Sequence, residues 1–248
     1  MRRILRGVIF TGWALWALLP VAAEELFEAR IYQAGSDRQI LLFLYRNSVR
    51  EEGGRVILTH DYLLPDGTPA ARETVEMAGG KFSRHTTDFF QTDEHSLMVP
   101  RGQDLEISFR KGTRSKEGRI APEAPVVFGP TQQEFIRENF PRLSSGEPVS
   151  FFLPAPEYLR LVPFTFTRRD DSPFSREGAL VLRMNAESWI LRMLAGGNDF
   201  VVDARSGQIL EIHGPSILPV QKNGRWTLTD VDIVFEYPRE GNSGTAGG

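Results

Sequence analysis

The sequence predicts a mainly β protein: a curved antiparallel sheet, a half-barrel or open barrel, with one or two short helices packed on the concave face. Three observations carry this. Apolar and polar residues alternate at period two over most of the chain, turn tetrapeptides bearing glycine separate those runs, and only two segments switch to helical spacing.

The strands follow from the alternation. In LFEARIYQ, Phe27, Ala29 and Ile31 alternate with Glu28 and Arg30. In DLEISFRK, Leu105, Ile107 and Phe109 alternate with Glu106, Ser108 and Arg110. In VDIVFEY, Val231, Ile233, Phe235 and Tyr237 share one face, and Asp230, Asp232 and Glu236 the other. Such runs are half-buried strands with one wet face. The separating turns are PDGT (Pro65–Thr68), AGG (Ala78–Gly80), RSGQ (Arg205–Gln208) and KNGR (Lys222–Arg225), and Asn-Gly between strand-like runs is a strong hairpin signal. The continuous apolar run ILLFLY (Ile40–Tyr45) reads as a strand buried on both faces.

Two segments read as helices. PTQQEFIRENF places Thr131 and Glu134 three apart, the spacing of a capping box, ahead of Phe135, Ile136 and Phe140. NAESWILRMLAGG offers Asn185 as N-cap and Gly196 as stop, with Trp189, Ile190, Met193 and Leu194 on one side.

The start of the chain predicts export. MRRILRGVIFTGWALWALLPVAA has Arg2, Arg3 and Arg6, then an uncharged stretch of 17 residues from Gly7 to Ala23 with Pro20 near its end. Val21 and Ala23 fit the −3 and −1 positions of a cleavage site. The expected organisation is a signal peptide over 1–23, a single β-rich domain over 24–238, and a disordered tail over 239–248, whose EGNSGTAGG composition buries nothing. No later segment approaches the roughly 17–25 apolar residues of a membrane span, so no integral span is expected after cleavage. The expected compartment is the periplasm.

Composition excludes several chemistries. With no cysteine, the chain has no disulfide, thiol nucleophile, Cys-based metal site or lipidated N-terminal cysteine. Of 29 basic residues three lie in the leader, against 32 acidic residues, so the remainder carries a balance of −6. That leaves no broad basic footprint for nucleic acid. No cofactor and no metal are expected.

The candidate chemical groups are sparse. Asp203 and His213 lie in VVDARSGQILEIHG, where a hairpin would bring their strands together, and they read as its wet polar face. Asp230 and Asp232 share a strand face that could hold a metal but reads as a solvated edge. Asp93–His95 sits among polar residues, and His60 falls on the apolar face of VILTHDYLL as a hydrogen-bonded core histidine. No nucleophile elbow, zinc-protease, P-loop or dinucleotide fingerprint is present. An Asp–His hydrolase remains the lesser alternative.

Three segments in order carry a resemblance: DYLLPDGTPAARE, VVFGPTQQEFIRENFPRLSSGEPVSFFLPAPEYLRLVPFTF, and SWILRMLAGGNDFVVDARSGQILEIHGPSIL, with Leu143–Glu147 and Asp203–Gly214 contributing most. Together they resemble an uncharacterised family of exported bacterial proteins. Such proteins are similar in outline to the periplasmic half-barrels that carry lipoproteins. The resemblance implies a curved sheet cupping an apolar cavity; it implies no catalytic residue. The pairs Phe89-Phe90 and Phe151-Phe152 and the run Phe164–Phe166 suit such a concave wall, although their plainer reading is that they simply form the core. The expected cavity residues are Phe90, Phe135, Phe152, Phe164, Phe166 and Trp189. The expected function is binding of a lipid, an acyl chain or a lipoprotein anchor. The alternative is a protein-interaction or assembly factor of the envelope that uses an exposed edge strand.

Overall fold

The computed structural model describes residues 24–187 and 196–238. Eight consecutive strands form a meander: β1 (Glu24–Gln33), β2 (Leu41–Glu52), β3 (Arg55–Leu63), β4 (Pro69–Ala78), β5 (Lys81–Phe89), β6 (Glu94–Arg101), β7 (Asp104–Lys111) and β8 (Arg114–Ile120). Helix α1 (Gln132–Ser144) follows, then β9 (Val149–Ala155), β10 (Arg160–Arg168), β11 (Ala179–Ala186), β12 (Asn198–Asp203) and β13 (Ile209–Pro215). A small hairpin of β14 (Val220–Lys222) and β15 (Arg225–Thr227) precedes the last strand, β16 (Asp230–Glu236).

All the long strands join one antiparallel sheet of 14 strands, in the order β8-β7-β6-β5-β4-β3-β2-β1-β16-β13-β12-β11-β10-β9. The last strand slots between β1 and β13, so the two halves meet at the middle of the sheet. Register shifts at Glu25/Phe27, Ile31/Tyr32, Tyr62/Leu63, Glu76/Met77 and Val201/Val202 mark the bulges that bend it. The bend brings the tip of the β9–β10 hairpin over the far end: the Lys116 ammonium donates to the Glu157 carbonyl at 2.9 Å, and Ile120, Leu159 and Leu161 pack on one apolar cluster. No ladder joins β8 to β9, so the sheet is an open half-barrel.

The period-two reading fixes the inner face. Phe27, Ala29 and Ile31 are buried, as are Leu105, Ile107 and Phe109, while Ile233, Phe235 and Tyr237 pack against the cluster containing Val231. The run Ile40–Tyr45 departs from expectation. Only Phe43 and Tyr45 are buried, Leu42 at the β1–β2 register shift packs half-buried against their cluster, Leu44 is half-buried on the other face, and Ile40 is exposed. The continuous apolar run is thus fully buried on one side only.

Helix α1 covers the inner face of β9–β13 through the buried Ile136 and Leu143, with Phe135 and Phe140 beside them. Its start differs from the capping box. The Thr131 hydroxyl bonds to the Phe128 backbone within a preceding 3-10 turn, and Glu134 pairs with Arg137 at 3.4 Å. The second expected helix, with Trp189, Ile190, Met193 and Leu194, lies outside the described residues, as do the expected signal peptide over 1–23 and tail over 239–248. Its expected cap, Asn185, is a residue of β11 and pairs with Thr165 of β10. Strand pairing overrides the local capping preference there.

Candidate functional site: an aromatic cavity with a polar row

The inner face and α1 enclose a cavity of about 1000 Å³. Phe27, Leu58, Phe82, Phe200, Ile212 and Phe235 give it an apolar wall, and the segment 125–131 leads across it into α1. Phe27 is the hub of the aromatic lining, with ring centroids 5.8 Å from Tyr45, 5.5 Å from Phe235 and 5.2 Å from Tyr237.

One row of this wall is polar. Asn47 pairs across the ladder with His60, His60 with Glu73, Glu73 with Thr87, and Thr87 with Ser96. Directly paired residues on one sheet face stand roughly 4.5–5.5 Å apart at Cβ. The five residues therefore form a continuous strip across β2–β6, set at inward positions that a pure core would fill with apolar groups. Asn47, His60, Glu73 and Ser96 are all buried.

The hydrogen bonds along the strip define its polarity. Asn47 Nδ2 bonds to His60 Nε2, and the Tyr45 hydroxyl lies 2.7 Å from both ring nitrogens. Burial pushes the His60 pKa down to about 4, against the raising influence of Glu73 and Asp61. The imidazole is neutral at neutral pH. Glu73 Oε1 accepts from His85 Nε2 at 2.8 Å and from the Gly129 amide at 3.0 Å. Burial pushes the Glu73 carboxyl up, but His85, His60 and the Gly129 amide outweigh it and hold the group below its usual range. Glu73 is therefore an anion in the cavity wall. Gly129 is required by contact, since a Cβ there would lie 2.3 Å from Glu73 Oε2.

Three buried atoms in the strip or beside it have no hydrogen-bond partner: Asn47 Oδ1 and Ser96 Oγ within it, and Nδ1 of His85, which bonds Glu73. Unpaired buried polar atoms are rare in folded proteins and carry a free-energy cost. Asn47 itself lines the cavity and is 2% exposed.

The expected aromatic residues divide. Phe135 lines the cavity. Phe166 is wholly buried in the core under α1, stacked on Phe151 at 4.9 Å and edge-on to Phe200 at 5.1 Å. Phe164 packs half-buried against the same core. Phe152 alternates with the buried Phe151, and its backbone pairs with the segment 125–127. Phe90 is 50% exposed just past the end of β5, and Trp189 lies outside the described residues. Doublets such as Phe151-Phe152 point to opposite faces of a strand, so at most one ring of each can reach the interior. The wall is built instead from single aromatics at inward positions, and the legible signal for the polar row was one polar residue in each apolar alternation: Asn47 after Phe43 and Tyr45, Glu73 between Ala71 and Val75.

Asp203 and His213, read from the sequence as one wet polar face, are not brought together. Asp203 closes the β12–β13 turn, its Oδ1 accepting from the Arg205 and Ser206 amides at 3.0 and 2.8 Å and from the Ser206 hydroxyl. The ladder places Asp199, not Asp203, opposite His213. The hairpin itself is present, but His213 is buried on the outer face, with Nδ1 2.7 Å from Asp232 and Nε2 3.0 Å from Glu211. Glu211 also accepts from Arg38 and Arg176, each at 2.8 Å. A recess of about 390 Å³ opens beside this cluster. Both imidazole nitrogens face carboxylates, which leaves neither to activate a nucleophile.

His95 bonds Asp88 at 2.7 Å, while Asp93 and Glu94 pair with Arg110 and Lys111. Among the described residues, no group of three or more His, Asp or Glu is placed to hold a metal ion, and no helix is long and apolar enough to cross a membrane. No protein-family model matches the chain, and no curated protein or solved structure is similar to it.

Proposed function

We propose that the protein is an exported, periplasmic binding protein for an apolar ligand, a lipid, acyl chain or lipoprotein anchor, held in the half-barrel cavity. The observation that carries this is the cavity itself: about 1000 Å³ walled by aromatic and aliphatic side chains. Ligand pockets typically run to roughly 300–1,000 Å³, are mostly apolar, and carry a few placed polar groups. The Arg-led, uncharged leader supports export, and the open half-barrel agrees with the outline of lipoprotein carriers that the sequence resembles.

The alternative, an envelope factor that adds a partner's strand to its own edge, has less support. One edge, β9, is bridged by the segment 125–127. The other, β8, reads RSKEGRI, and charged edge strands discourage strand addition.

Native mass spectrometry of protein purified from periplasm without detergent tests the proposal. Wild type retains a bound apolar molecule, and Met77→Trp, which fills the cavity from its wall, loses it without loss of folding. Wild type carrying no ligand after such purification, and taking up none when offered phospholipid vesicles, overturns the proposal.

A further inference from the structure

The polar row lies in a wall that an apolar ligand alone does not require. Asn47, His60 and Glu73 occupy successive rungs of β2, β3 and β4, and all three line the cavity. Asn47 bonds His60 through Nδ2, and its carbonyl oxygen has no partner at 2% exposure. Two rungs away stands the Glu73 carboxylate, whose bonds from His85 and Gly129 both fall on Oε1. The chemistry that Asn47 and Glu73 offer to the cavity is thus hydrogen-bond acceptance and negative charge.

We infer that this row recognises the head of the ligand, and that the head bears N–H or O–H donors and no negative charge: an amine, amide or hydroxyl on an apolar body. The inference rests on the apolar-ligand reading and narrows it. A donor head satisfies Asn47 Oδ1 and pairs with Glu73, while the body lies along Phe27, Phe200 and Phe235. A carboxylate or phosphate head would face Glu73 and an unpaired carbonyl with no cation among Asn47, His60 and Glu73, while Arg137, which also lines the cavity, is paired with Glu134 at 3.4 Å. Like-charge approach in a low-dielectric wall is strongly unfavourable.

The test uses three probes of one chain length, dodecylamine, dodecanol and dodecanoate, titrated into the cleaved chain by calorimetry at pH 7, below their micellar range. The expected order is dodecylamine tightest, dodecanol next, and dodecanoate weaker than dodecylamine by about tenfold or more, the worth of one hydrogen bond to a charged group. Glu73→Gln, checked for folding by its melting temperature, is expected to narrow that gap by weakening the amine and strengthening the carboxylate. Asn47→Leu is expected to weaken amine and alcohol together. Equal affinities for the three probes in wild type, or dodecanoate the tightest, overturns the head-group inference and leaves the apolar cavity standing. Binding of none of the three removes the apolar-ligand reading itself.

Discussion

Phe174 lies flat on His213, ring centroids 3.6 Å apart and planes 4° from parallel. Phe174 belongs to the 169–178 connection, which crosses the outer face and is held at both ends: Arg169 reaches Asp199 at 3.2 Å and Arg176 reaches Glu211 at 2.8 Å. His213 is the pivot of this clasp, between Glu211 and Asp232 below the phenyl ring. The clasp joins β13 and β16 to a loop that would otherwise lie free in solvent.

His213→Ala is accordingly expected to destabilise the protein by about 1–3 kcal/mol, because the buried Glu211 and the half-buried Asp232 lose their contact with the ring and Phe174 loses its platform. Asp203→Ala removes only turn bonds at a solvent-facing corner and is expected to change stability by about 1 kcal/mol or less. Thermal melting of the two variants side by side checks this. Equal losses would mean that His213 is no more than a wet hairpin residue.

Gly207 serves a different contact. Its φ of +70° suits the turn, and a Cβ there would lie 2.9 Å from the Phe140 ring of α1. The same corner is tied to the helix by Gln133, whose Nε2 donates to the Gly207 carbonyl at 3.2 Å and whose Oε1 accepts from the Ile209 amide at 2.8 Å. Gly207→Val is therefore expected to cost about 2 kcal/mol or more: roughly 1–2 for the left-handed backbone, and further loss as α1 lifts. Gly67→Val, at a φ of +86° with open space around it, isolates the backbone component. If both variants melt alike, α1 does not press on this turn.

What was legible in the sequence is what period two dictates. The inward residues of β1, β7 and β16 follow from alternation alone, and the hairpins at Pro65–Thr68 and Lys222–Arg225 follow from glycine and asparagine chemistry. What was not legible depends on which strands become neighbours. Asn47, His60 and Glu73 are remote from one another in hydrophobic pattern and look like isolated exceptions until the β2–β3–β4 register lines them up. His213 similarly meets Asp232 only because β16 inserts beside β13. Local spacing pointed instead to Asp203, ten positions away.

Phe166 and Phe90 separate core from surface among the expected aromatics. Phe166 is fully buried and touches two other rings, so Phe166→Ala is expected to cost about 3–5 kcal/mol. Phe90→Ala, at a half-exposed ring, is expected to stay within about 0.5 kcal/mol. Denaturant midpoints measure both. Neither variant is expected to alter the head-group selectivity of the cavity, since neither ring lines it.

The buried row also predicts how the fold responds to acid. In the folded chain, burial holds His60 at about 4, whereas its ordinary value is 6.5. Between those values the unfolded chain binds the proton and the folded chain does not, so stability is full above about pH 6.5 and falls as the pH drops toward 4. The groups around the ring are Tyr45, Asn47, Asp61 and Glu73. Glu73, itself held below its usual value of 4.5, acts in the same direction lower down: its contribution is present above that value and is lost as the pH falls through its native one. The His60 share of the loss is about 3 kcal/mol at most, from a shift of that size. His60→Gln cannot take up a proton, so its stability is expected to fall less than wild type between pH 6.5 and about 4 while following the same course below that. Urea midpoints across the range measure the difference, and parallel curves for the two proteins would place the acid sensitivity elsewhere in the fold.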